Sequence, residues 1–186
     1  GNVQGKPVYS LVAKGGEREL PVRIPCYDTS LYFDDLHLTE ERDAVEWMKA
    51  EAAEGKARGH AHFKIKVGRG GRYMPLIEGT DRDIAIIHGI REIAGDDGKL
   101  MIDANNGYNL NLTKQVLKET AAAKLYWLEE AFHEDDELYA DLKAWMQTEG
   151  LNVLVADGEG LAAPTLVQWA KKGLIDVVQY DILSPG

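Results

Sequence analysis

The 186-residue sequence contains one cysteine, Cys26. A single thiol excludes an internal disulfide and a cysteine-built zinc site. A chain without disulfides suits a reducing compartment, so a cytoplasmic protein is expected. Positive charge is also scarce. Lysine and arginine number 21 against 31 acidic residues, for a net charge of -10. Nucleic acid needs a basic face, and this balance argues against it as a partner. No apolar run reaches the length of a membrane-spanning helix and no signal peptide is visible, so no membrane partner is expected. The sequence does not begin with Met. What is present is ordinary for a globular chain with a core of its own: 45% hydrophobic and 28% charged residues. The surplus of carboxylates also permits a cation site.

Apolar, β-branched stretches of strand length recur at 23–33, 62–67, 99–104, 125–130, 152–159 and 176–182. Helix signals lie between them. Thr39 reads as a cap for a helix stopping at Gly55. Thr80 and Asp83 resemble a capping box ahead of Ile84, Ile87, Ile90 and Ile93. Asn111 is placed to cap the next helix. A further helix should stop at Gly150, and the last should open near Pro164 and stop at Gly173. Strand–helix alternation of this kind gives an α/β fold with a parallel sheet and helices outside it. Two closures satisfy it, a doubly wound open sheet and a (β/α)8 barrel. Six strands are too few for a whole barrel. Residues 1–20 stand outside the alternation and read as the end of a preceding domain, with 21–186 as a partial barrel. The chain is therefore expected to be a piece of a longer protein.

Polar residues gather toward the carboxyl ends of the expected strands, where parallel α/β folds build their sites. In "FKIKVGRGG" (63–71), Lys64 and Lys66 occupy alternate positions of a strand that should be buried, and a buried lysine must be paired or lose its charge. Strand three ends in Asp103 and is followed by Asn105. Strand four ends in Glu129 and Glu130, strand five in Asp157 and Glu159, and strand six carries Asp181. Asp103, Glu129 and one acid of strand five would make three carboxylates from three adjacent strands, a set suited to Mg²⁺. Glu130 should point away, because Glu129 points in. Asn105 also suits a local turn with Asn106 and Gly107. His60, His62, His88 and His133 are assigned to surface or core, and the four tryptophans to packing. "VGRGG" invites a phosphate-binding reading but matches neither glycine-rich spacing. A flexible loop over the mouth of the sheet is the preferred expectation.

Taken in order, "GKPVYSLVAKGG", "IPCYDTSLY", "FKIKVG", "MIDANNGY", "WLEEAF", "VADGEG" and "DVVQYDILSPG" resemble the enolase superfamily, in its mandelate racemase-like branch. The resemblance implies a (β/α)8 barrel, here strands one to six, preceded by the tail of an α+β capping domain. It implies that Asp103, Glu129 and Glu159 hold Mg²⁺, with Asp157 the less favoured choice on strand five. Lys66 would be the base, and Lys64 would touch the substrate carboxylate, near Asn105, and lower the pKa of Lys66. Asp181 would orient a histidine on a seventh strand. The implied chemistry is removal of the proton α to a carboxylate through an enediolate, leading to dehydration of a sugar acid. The runner-up is racemisation or epimerisation of a hydroxy acid. A non-catalytic barrel or fragment stands as the reading from another class. The implied partners are a small carboxylate substrate and further copies of the same chain. Strand four reads "EEAF" where many relatives carry proline after the acids, and no change of mechanism is expected from that.

Overall fold

The computed structural model describes residues 3–12, 23–159 and 165–180. A five-residue helix, α1 (Val8–Val12), precedes the alternation. The sheet has six parallel strands, β1 (Asp28–Leu31), β2 (Phe63–Lys66), β3 (Leu100–Asp103), β4 (Trp127–Glu129), β5 (Leu154–Asp157) and β6 (Val177–Val178). Between them run α2 (Glu41–Ala57), α3 (Leu76–Ala94), α4 (Leu110–Glu119), α5 (Asp136–Glu149) and α6 (Leu166–Lys171). Each strand pairs with its successor in the chain, in the order β1-β2-β3-β4-β5-β6. A doubly wound sheet reverses direction at a switch point. This one never does, so it is an arc of a (β/α)8 barrel. Among the described residues no helix is long and apolar enough to cross a membrane.

Strand alternation divides the side chains between two faces. Phe63, Ile65 and Val67 join Met48 and Ala52 of α2 and Ile86, Ile87 and Ile90 of α3 in one buried apolar cluster. The intervening Lys64 and Lys66 are left on the opposite, inner face. The isoleucine periodicity thus predicts the buried side of α3 correctly, with Ile84 and Ile93 partly buried at its margin.

Three helix starts, those of α2, α3 and α4, differ from expectation. Thr39 does not cap α2, which begins after Glu40; the Thr39 carbonyl accepts from Arg82 Nη2 at 2.8 Å. Gly55 does not stop that helix. It lies inside it, where a Cβ would stand 2.2 Å from Asp28 Oδ2, so the glycine admits β1 against the helix. Helix α3 begins directly after Pro75, which puts Thr80 and Asp83 in its interior. The Thr80 hydroxyl donates to the Leu76 carbonyl, and Asp83 faces the loop after β2. Asn109, not Asn111, caps α4, its Oδ1 accepting from Leu112 N at 3.0 Å. Gly150 ends α5 with φ 69°, as the sequence predicts. Gly173 follows α6 with φ 76°, and Pro164 lies outside the described residues.

The glycines of "VGRGG" are explained by contact. A Cβ on Gly79 of α3 would lie 2.3 Å from Gly70 N and 2.7 Å from Arg69 C, and one on Gly70 would lie 2.4 Å from Leu76 O. Loop and helix meet backbone to backbone. Gly79→Ala is therefore expected to destabilise the fold by about 1–3 kcal/mol or more, the range for overpacking a close contact. A urea titration reads this as a lowered midpoint, and an unchanged midpoint would contradict the packing described.

Candidate functional site

The inner face presents one row of charge. In register, Lys66 of β2 pairs with Asp103 of β3, and Asp103 pairs with Glu129 of β4. One step earlier, Lys64 pairs with Met101. The Lys64 ammonium donates to Glu129 Oε1 at 2.7 Å and lies 3.0 Å from Asp103 Oδ2. Lys66 Nζ donates to the same Asp103 oxygen at 2.5 Å and to Asn105 Oδ1 at 2.7 Å. Lys64 and Lys66 are 6% and 7% exposed, and both carboxylates are fully buried. Two cations and two anions with shared hydrogen bonds satisfy the condition under which buried charge is tolerated. The electrostatics follow. Burial alone would lower the Lys64 pKa, but its hydrogen bond to Glu129 and the field of Asp103 raise it overall. Burial alone would raise Asp103, yet Lys66 and Lys64 hold it below the ordinary range. Glu129 is pushed up by burial and by the neighbouring Asp103.

The strand-five acids part company. Alternation assigns Asp157 and Glu159 to one face, but Gly158 at φ 115° resets the direction between them. Asp157 follows Val155 to the helix side. There Tyr139 of α5 donates its hydroxyl to the carboxylate and Gly158 N donates at 2.6 Å; burial raises its pKa. Glu159 turns to the inner side, where Asp103, Glu129 and Glu159 each offer a carboxylate oxygen, all within 4.8 Å of one another. An all-oxygen, acidic donor set of this size fits Mg²⁺.

Glu130 contradicts its expected outward direction. It takes φ 43°, an uncommon left-handed backbone for a residue with a side chain. That turn brings its carboxylate back to Asn105, whose Nδ2 donates to Glu130 Oε2 at 2.9 Å. Glu130 is buried, and burial pushes its pKa up. Asn105 also forms the expected local turn. Its N donates to Asp103 Oδ1, and Gly107 N donates to Ala104 O at 2.8 Å.

Sequence reasoning missed several residues around this row. Trp127 is more than packing: its indole Nε1 donates to Glu129 Oε2 at 3.2 Å. Its spacing two residues before Glu129, hence the same face, is the signal that identifies it. The Tyr27 ring lies 5.7 Å from Lys64 Nζ, and the Tyr32 ring 5.5 Å from Lys66 Nζ. Asp181 lies outside the described residues. Of the histidines, His62 Nδ1 accepts from Lys99 N and His88 contacts the Glu119 carbonyl.

The loop after β2 is neither a phosphate cradle nor a flexible cover. Its anion is internal. Gly68 N and Arg69 N donate to Asp83 Oδ2 at 2.7 and 3.2 Å. The fully buried Arg69 guanidinium bridges Asp83 and Asp35, at 2.7 and 2.6 Å, and also donates to the carbonyls of Lys66 and Tyr32. Tyr108 adds its hydroxyl to Asp83 at 2.9 Å. Residues 67–70 are all buried.

Comparison with known proteins agrees with this geometry. A galacturonate dehydratase from Geobacillus sp., complexed with D-galacturonate and 5-keto-4-deoxy-D-galacturonate, superposes with a TM-score of 0.85 at 67% identity, over 88% of this chain and 44% of that one. A mandelate racemase/muconate lactonizing protein from Geobacillus sp., complexed with magnesium and tartrate, gives a TM-score of 0.90 at 63% identity, over 100% of this chain and 48% of that one. The arabinonate dehydratase of Saccharolobus solfataricus is 27% identical over 97% of this chain and 43% of its own length. The chain thus spans less than half the length of each. Residues 47–186 match the enolase C-terminal domain-like family, and with its unreversed parallel sheet and inner row of lysines and carboxylates the chain belongs to that family.

Proposed function

We propose that the protein containing this chain is a Mg²⁺-dependent dehydratase of a sugar acid that begins by removing the proton α to the carboxylate. The observation that carries the reading is the register row Lys66–Asp103–Glu129 beside the carboxylate of Glu159. Asp103, Glu129 and Glu159 would hold Mg²⁺. When bound, the ion supplies positive charge to the substrate carboxylate as that group becomes an enediolate. Lys66 takes the α-proton on one face of the substrate, which requires its amine to be neutral at that moment. The Tyr32 ring beside its Nζ keeps water from one side of the amine. Lys64 donates to the substrate carboxylate. Asp181 orients a proton donor from a later part of the protein. The β-hydroxyl leaves with that proton as water, and the enol so formed becomes a keto acid. The likeness to the galacturonate and arabinonate dehydratases supports dehydration over racemisation. A small carboxylate substrate, a homo-oligomer and a cytoplasmic setting complete the reading.

The test uses the complete protein with Mg²⁺ in deuterated buffer and a panel of sugar acids, galacturonate, arabinonate and gluconate among them. A keto acid carrying solvent deuterium is the expected product. Exchange of the α-proton without a keto acid would replace dehydration by racemisation. Neither exchange nor product with any hydroxy acid would remove the enzymatic reading altogether.

A further inference from the structure

Glu130 belongs to no group of the reaction as proposed, yet its backbone takes an uncommon conformation to reach the site. Three left-handed, non-glycine residues meet there: Asn105 at φ 43°, Asn106 at φ 61° and Glu130 at φ 43°. The two turns are joined by Asn106 N donating to the Glu130 carbonyl at 2.7 Å. Such conformations persist only where the surroundings enforce them, and they concentrate at working sites. Their product is a short chain of hydrogen bonds, Lys66 Nζ to Asn105 Oδ1 and Asn105 Nδ2 to Glu130 Oε2.

An amide can be turned over so that its two ends exchange places. Here both ends are engaged: the carbonyl oxygen accepts from Lys66 Nζ at 2.7 Å and the NH₂ donates to Glu130 Oε2 at 2.9 Å. A carboxylate only accepts, so Glu130 fixes the NH₂ end of the amide and thereby the carbonyl that meets Lys66.

We propose that Glu130 is a positioning residue that locks the Asn105 amide with its carbonyl toward Lys66, so that Asn105 holds the Lys66 Nζ in one place at the inner face. This rests on the reading of Lys66 as base.

The test is Glu130→Gln in the complete protein. Glutamine keeps the size but can donate as well as accept, so it allows either amide orientation. The expected result is a fall in kcat of about tenfold or more, with KM and Mg²⁺ affinity by calorimetry within about threefold of wild type and an unchanged unfolding midpoint. A kcat within twofold would overturn the proposal. So would a parallel loss of Mg²⁺ affinity, which would make Glu130 part of the metal set. A second readout needs no turnover. With ¹⁵N-asparagine labelling, the Asn105 side-chain NH₂ should exchange slowly with solvent in the wild type and faster in Glu130→Gln. Equal exchange would reject the lock even if the enzyme acts on an unforeseen substrate. A wild type inactive on every acid would remove the functional reading while the exchange rates still decide on the lock.

Discussion

Replacing Lys66 by methionine in the complete protein is expected to lower kcat by about 10²–10⁴, the usual contribution of a positioned general base, while leaving Mg²⁺ affinity within a few-fold of wild type. The separation of the two effects follows from the ion pairs. Lys66 shares Asp103 Oδ2 with Lys64, which stands 3.0 Å from that oxygen, so removal of Lys66 leaves the carboxylate a cationic neighbour. Methionine has about the length and shape of the lysine stem and preserves packing between the strands. Glu129→Gln is the contrasting variant. It removes a charge from the proposed metal set and takes from Lys64 the countercharge that stands at 2.7 Å, so Mg²⁺ affinity and turnover should fall together. Steady-state kinetics and titration calorimetry on both variants check the pair of outcomes. A Lys66→Met enzyme retaining more than a tenth of wild-type kcat would mean that another group takes the proton.

Arg69→Met is expected to destabilise the fold by about 3–5 kcal/mol, the loss typical when one partner of a buried ion pair is removed. The guanidinium is fully buried between Asp35 and Asp83, and neither acid touches solvent. Without Arg69 both would be stranded. Arg82 Nη1 lies 3.7 Å from Asp35 Oδ2, too far for a hydrogen bond. Asp83 would keep Tyr108 and the two backbone amides but lose its countercharge. Arg69→Lys should recover little, because a point ammonium cannot span two carboxylates and two carbonyls at once. Chemical denaturation of the complete protein, followed by circular dichroism, gives the free energy. A loss below about 1 kcal/mol would place the network among ion pairs of no structural consequence.

Much of this site was legible before any coordinates. Alternating lysines in an apolar run could only be sustained by acids nearby, and the acids stood at the ends of the following strands. The errors of face assignment have one physical origin. Face assignments assume an unbroken period of two, and one positive φ cancels it. At Gly158 the sequence carried a trace of this, since glycine permits such angles. At Glu130 it carried none, because the left-handed angle falls on a residue with a side chain, whose carbonyl accepts from Asn106 N across the sheet. Arg69 was hidden for a different reason. Its partners lie 34 and 14 positions away, and nothing in a stretch of glycines marks the central side chain as fully buried. The helix signals at Thr39 and Asp83 failed because those residues answer to distant partners, Arg82 and Arg69; Thr80 lies inside α3, where its hydroxyl bonds Leu76 O.

The row Lys66–Asp103–Glu129 has one more consequence. Its spacing is fixed by ladder hydrogen bonds, and a displacement of β3 by two residues would carry Asp103 about 7 Å along the sheet. The sheet therefore acts as a ruler for the chemistry. Loops beyond the strand ends can lengthen, shorten or change composition without moving its marks. Any insertion within β2, β3 or β4, by contrast, breaks the row.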